Sequence, residues 1–359
     1  MSRTVRFLSV VALAALAAGC GGDDAASTTV ESASTTVASS EVSTTVVPTS
    51  TSTVVEPTTT AVPVPVYPLT GLPVTDPAAA ARPALVVKID NNAAARPQSG
   101  LNEADIVYEE IVEVQTRFAI VFQSQGADPV GPIRSGRTQD VLLLGSLNRP
   151  LFMWSGGNAN VTRTIESSDF VDLSAQHGNV YKAAGFFRSN ERSNPHDLYA
   201  TTSGAWTLAP QGATPPPQQF QYLTPGTAAA GEPAAGVDLN MDGLPIEWRF
   251  ESSSGAYARS NGGTPHMDGL SGQVSTENVL VAFVDYQPSP ADNRSPEAQT
   301  IGSGEVWLFT GGVLTRGTWE RADRLSPFVL RDAAGSPILL TPGRTFIELA
   351  RVGSANVAS

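Results

Sequence analysis

The chain has 359 residues, a formal net charge of -12, 41% hydrophobic residues and a single cysteine. An acidic chain of this kind is a poor partner for nucleic acid, and one thiol cannot staple a domain internally. The length suffices for one large domain or two ordinary ones. At the N-terminus Arg3 and Arg6 precede a short apolar run, Phe7 to Ala18, closed by Gly19-Cys20. That run is too short to span a bilayer and has the layout of a secretory signal. We read residues 1–19 as a lipoprotein signal peptide and Cys20 as the lipidated, palmitate-carrying N-terminus of an extracytoplasmic protein anchored to the cell membrane. Residues 20–66 are rich in Ser, Thr, Val, Ala and Pro, with no aromatic residue. Such a segment cannot bury enough apolar surface to offset its ordering entropy, so a tether is expected, open to O-glycosylation.

Folded sequence starts near Tyr67. The run Ala84 to Asp90 reads as a buried strand, and 105–114 and 116–124 as two strands of a hairpin. Thr138 to Leu147 reads as a short helix, Leu151 to Trp154 as a strand and Asn158 to Ser167 as a second helix. This alternation predicts a mixed α/β domain over 67–236, ending in a long Pro/Gly/Ala-rich loop from Leu208. Beyond it, strand patterns dominate: 246–251, 257–259, 279–286, 305–310, 313–321, 328–331 and 345–349. Gly311-Gly312 suits a tight hairpin, and Gly302-Ser-Gly304 reads as a turn. The expected fold class is therefore α+β, with a small antiparallel sandwich or barrel over 237–359.

Polar residues gather at the ends of the N-terminal strands, where sheets commonly place binding groups. They are Asp90, Arg96, Glu109, Arg117, Arg134 and Arg137. Glu109 and Glu113 share a face if 105–114 is one strand, but four steps set them roughly 13 Å apart. That exceeds the about 5–10 Å of a glycosidase carboxylate pair. Among three histidines, His196 and His266 each follow a proline and have an acid within two residues. Each is a candidate general base whose tautomer the acid would fix. No histidine has a partner at metal-ligand spacing, no serine lies in a Gly-x-Ser-x-Gly elbow, and no phosphate-cradling loop is present. Neither a metal nor a cofactor is expected. These considerations predict one cleft lined by Asp90, Arg96, Glu109, Arg117, Arg134, Arg137 and His196, with His266 approaching from the C-terminal domain.

Several stretches together resemble the YerB-like bacterial lipoproteins, whose two halves are domains of unknown function. They include Pro68-Leu-Thr-Gly-Leu72, Ile89-Asp-Asn91, Arg96-Pro-Gln-Ser-Gly-Leu101, Ala104-Asp-Ile-Val-Tyr-Glu109, Thr116-Arg-Phe118 and Gly131-Pro-Ile-Arg-Ser135. Further on come Asn194-Pro-His-Asp-Leu-Tyr199, Thr264-Pro-His266, Gly302-Ser-Gly304, Thr318-Trp319 and Pro342-Gly343. The resemblance covers about 67–350 and implies a cell-envelope lipoprotein, without an established reaction. Asn92 departs from the histidine that often follows Ile-Asp-Asn in this pattern.

Two functions remain open on the sequence. One is a binding lipoprotein whose arginines grip carboxylate or phosphate groups on an envelope polymer, a peptide or a partner protein. The other is a cell-wall-directed hydrolase or transferase with His196 or His266 as base.

Overall fold

The computed structural model describes residues 64–358. Cys20, the signal segment and nearly all of the tether lie outside the described residues. Among those residues no helix is long and apolar enough to cross a membrane.

The fold is α+β, built on one 11-stranded sheet. Its N-terminal half contains β1 (Leu85–Asp90), β2 (Ile106–Val112), β3 (Gln115–Phe122), β4 (Leu151–Trp154) and β5 (Val171–Ser174). All six residues of β1 are buried, which marks a strand covered on both faces. Leu85, Val87 and Ile89 enter one apolar core, and Val86 enters the other. A short helix, α1 (Pro77–Ala81), precedes β1, and later helices cover both sides. Residues of α2 (Thr138–Leu143) and α3 (Ala159–Glu166) join the core on the Val86 side. Residues of α4 (Gly178–Ala183) and α5 (Thr202–Trp206) join the core on the Leu85 side.

The sheet continues without a break into the C-terminal half. From β5 its order is β4, β1, β3, β2, then Thr345–Ala350, Asn278–Phe283, Gly302–Thr310, Val313–Arg321 and Val329–Asp332. The join is parallel: Ile106 pairs with Thr345 and Glu109 with Glu348. A second, antiparallel sheet contains Gly236–Met241, Leu244–Glu251 and Ala256–Asn261. Its Val237, Leu239, Ile246, Trp248 and Tyr257 pack into the core on the Leu85 side. A hairpin, Tyr286–Ser289 with Asp292–Ala298, lies against the other side, where Ala298 donates its N–H to Gln139 of α2.

The expectation of a separate C-terminal sandwich or barrel is therefore corrected. The strand-only half does carry an antiparallel sheet, but its longest strands extend the N-terminal sheet. The Pro-rich stretch after Leu208 is a long surface segment running between the two halves. Its Leu223 donates to the Leu340 carbonyl, Leu340 donates back to the Gln221 carbonyl, and Glu232–Pro233 pairs with Val313–Leu314.

Two glycine sites are informative. Gly311 and Gly312 have φ of 58° and 81°, the left-handed pair that a two-residue hairpin requires. Gly302 to Gly304 is the start of a strand rather than a turn. A Cβ on Gly304 would lie 2.6 Å from the Phe283 carbonyl and the Trp319 ring nitrogen, so close packing, not chain reversal, requires the glycine.

Candidate functional site: two polar clusters on opposite faces of one sheet edge

Side chains alternate across a strand, and at the ends of β1, β2 and β3 this separates the predicted cleft into two clusters. Asp90, Lys88, Glu110 and Arg117 lie on the Val86 side. Glu109 and Thr116 lie on the opposite, Leu85 side. Asp90, Arg117, Arg134, Arg137 and His196 are brought together. Glu109, Arg96 and His266 belong to the other cluster.

On the Leu85 side, Arg259 is fully buried and donates to Glu109 Oε2 at 2.6 Å, to Asn261 at 2.7 Å and to His266 Nδ1. Glu109 Oε1 accepts from Thr116 and Asn91. Glu348, the in-register neighbour of Glu109, accepts from the Trp248 indole at 2.8 Å. Like charges directly opposite on a sheet repel. Burial, and next Glu109, hold the Glu348 carboxyl well above the usual carboxylate range, so it keeps its proton. His266 is 2% exposed. Burial, and then the charges of Arg259 and Arg96, push its ring well below the ordinary histidine value. Arginine only donates, so His266 Nδ1 is the acceptor and Nε2–H donates to Gln98 Oε1 at 2.7 Å. Both ring nitrogens are engaged, and no lone pair faces solvent. His266 is therefore unsuited to the general-base role that the sequence left open.

This cluster joins the two halves of the chain. Gln98 donates onward to the Asp90 carbonyl and to Asn91, which also accepts from Arg96. Two residues past His266, Asp268 accepts the Gly100 and Leu101 N–H groups at 2.9 and 2.8 Å. The Arg96–Leu101 and Thr264–His266 motifs thus hold each other. An open cleft of about 340 Å³ lies over Arg96, Pro97 and His266, with the Arg259 pairings buried beneath it.

On the Val86 side the charges are paired less completely. Lys88 is fully buried between Glu110, in a short ion pair, and Asp140 at 2.7 Å. Burial, with Asp140 second, raises the Glu110 carboxyl to about 7. Asp90, fully buried, accepts His196 Nδ1–H at 2.6 Å and the Asn92 N–H at 3.0 Å. Arg134 Nε lies 3.1 Å from the same carboxylate oxygen that His196 holds. Arg137 grips Glu113 through Nη2 at 2.7 and 3.0 Å. Glu113 has φ of 23° and lies beyond the end of β2, in the turn to β3. It therefore does not share a face with Glu109 as expected.

Arg117 differs from its neighbours. It is 2% exposed, its Nη1 donates to the Ser135 carbonyl at 3.2 Å, and its buried Nε, like those of Arg134, Arg137 and Arg259, has no hydrogen-bond partner among the described residues. Burial, then Arg137 and Arg134, lower its guanidinium to about 10. Its cross-strand neighbours Asp90 and Glu110 attract it, but among the described residues it is in no ion pair, and two other guanidiniums repel it. The site edge is open: Arg134 is 23% exposed at its side chain and His196 is 17% exposed. His196 Nε2 makes no hydrogen bond among the described residues. Asn92, where the resemblance led us to expect histidine, caps the short turn Ala93–Ala95 and bonds Gln115, so it adds no ring to this site.

Sequence reasoning missed Lys88, Glu110, Asp140, Arg259 and Glu348. The available signal was a charge within an apolar strand, as in Leu-Val-Val-Lys-Ile and Phe-Ile-Glu-Leu, since such a charge must meet a counter-charge. Spacing also missed Glu166, Asp172 and His177, whose ligand atoms come within 4.8 Å of one another. They are partly exposed, with His177 3.9 Å from Glu166 and 3.6 Å from Asp172.

Two family models match the chain, the DUF3048 (protein of unknown function) N-terminal domain over residues 69–214 and its C-terminal domain over 237–347. The chain belongs to this family. The gap between the matched DUF3048 segments coincides with the Pro-rich surface stretch, while the central sheet takes strands from both segments. YerB of Bacillus subtilis (strain 168), named as an expected lipoprotein, is 29% identical over 294 residues, 79% of this chain and 85% of the relative. The crystal structure of Bacillus subtilis YerB superposes with a TM-score of 0.70 at 25% identity, covering 82% of this chain and all of that one.

Proposed function

We propose that the protein is an extracytoplasmic lipoprotein, anchored through Cys20, that binds anionic groups of an envelope polymer, a peptide or a partner protein. The anion site comprises Arg117, Arg134 and Arg137 with His196 at its rim. The observation that carries this reading is Arg117, a buried cation that is in no ion pair among the described residues, although Asp90 and Glu110 are its cross-strand neighbours. Burying such a charge unpaired is costly, and an external carboxylate or phosphate would relieve that cost through charge-assisted hydrogen bonds. The anchor is supported by the Gly19-Cys20 pattern after a short apolar run and by similarity to a relative named as an expected lipoprotein.

Thermal unfolding of the mature protein with increasing inorganic phosphate or acetate tests the site. A ligand at a hundred times its dissociation constant adds about 2.7 kcal/mol of stability. The midpoint should rise with anion concentration; Arg137→Ala, which frees only the part-exposed Glu113, should weaken that rise with little change in the anion-free midpoint, and Arg134→Ala should weaken it from a midpoint lowered by the loss of a partner to buried Asp90. Variants that unfold yet respond normally when folded would make these arginines structural. For the anchor, Cys20→Ala should release processed protein from the membrane fraction, and mass spectrometry of the wild type should show a lipid on Cys20.

A further inference from the structure

The Val86-side cluster holds more than an anion needs. His196 is fixed by a buried carboxylate through Nδ1, which sets the tautomer with Nε2 as the unprotonated nitrogen. Asp90 is fixed in turn by Arg134 and the Asn92 N–H. One carboxylate oxygen is shared by His196 and Arg134, so the ring and that guanidinium are immediate neighbours. His266 has no such freedom, because Arg259 occupies its lone pair.

We propose, building on the anion-binding reading, that this site hydrolyses phosphodiesters, with His196 Nε2 as the general base. A carboxylate presents one planar pair of oxygens and needs one arginine fork. Arg117 bonds the carbonyl of Ser135, next to Arg134, and is repelled by both Arg134 and Arg137, so more than one fork is at hand, which suits a tetrahedral phosphate better. A phosphodiester carries one negative charge and gains a second as water attacks. A buried guanidinium in no ion pair among the described residues, as at Arg117, stabilises that developing charge more than the ground state. Water gives a proton to His196 Nε2 while its oxygen forms the new P–O bond. The opposite P–O ester bond breaks, and its electron pair leaves on the departing oxygen, which takes a proton from solvent. His196 returns its proton to solvent, so the products are one alcohol and one phosphate monoester. Asp90 is a positioning residue, acting only through the ring.

The test follows p-nitrophenolate release from bis(p-nitrophenyl) phosphate by the mature protein, alongside titration with inorganic phosphate. Wild type should turn the ester over. His196→Asn should lower kcat by about 100-fold or more, the usual contribution of a general base, while inorganic phosphate still binds. His196→Gly should regain turnover when imidazole is added. Asp90→Asn should lower kcat with KM held. Phosphate binding without turnover, or turnover that survives in His196→Asn, would overturn the catalytic inference and leave the binding reading standing. A folded wild type with neither binding nor turnover would remove both.

Discussion

Arg259, reaching in from the second sheet, and Arg117, on β3, meet opposite faces of the same end of the central strands, and both are buried. Arg259 donates to a carboxylate, an amide and an imidazole, with a protonated Glu348 beyond. Arg117 donates to a single backbone carbonyl and is crowded by two arginines. The first cluster is closed and draws its members from both halves of the chain, so its chemistry is spent on holding those halves together. The second is incomplete within the chain and open at Arg134 and His196. The two arginines are alike in burial and differ in their internal partners.

The largest expected effect is on the closed cluster. Arg259→Ala leaves Glu109 buried and uncompensated and should cost about 3–5 kcal/mol in urea unfolding. A loss below about 1 kcal/mol would show that this cluster does not lock the halves.

A smaller effect concerns pH. The Glu110 carboxyl rises from 4.5 in the unfolded chain to about 7 in the folded protein. Between these values the folded state holds a proton that the unfolded chain has released, so stability falls as pH rises from 4.5 through 7. Asp105, raised to about 6 chiefly by burial, acts in the same direction. Glu110→Gln should flatten the decline of thermal midpoint across that window. An unchanged slope would contradict the assignment of Glu110 as a reluctant anion.

The smallest effect is Glu348→Gln. An amide replaces a carboxyl that is already neutral, so stability at pH 7 should change by less than about 1 kcal/mol, the size of one ordinary hydrogen bond. A loss as large as that of Arg259→Ala would mean that Glu348 is ionised.

Much of this architecture was legible in the sequence. The buried strand ending at Asp90, the hairpin that follows and the Gly311-Gly312 turn all follow from local pattern. The candidate list contained all the arginines and the histidine of the open cluster. The pairing of Ile106 with Thr345 was not legible, because a parallel contact across so long a stretch leaves no local signal. The division of the candidates between faces turns on parity along β1, β2 and β3, which places Glu109 opposite to Glu110. It could be read for adjacent residues but not across loops to His196 and His266. The two Pro-His motifs look alike in sequence, yet one ring is tied to Arg259 and the other keeps a nitrogen open, a difference decided by partners far along the chain.

The central claim is that Arg117 serves a ligand rather than the fold, and Arg117→Met tests it most directly. Calorimetric titration with inorganic phosphate should be paired with urea unfolding of the same protein. The account predicts stability within about 1 kcal/mol of wild type, since Arg117 is in no ion pair among the described residues, and at least a tenfold loss of phosphate affinity. Unchanged phosphate affinity, or a stability loss of about 3 kcal/mol or more, would contradict it.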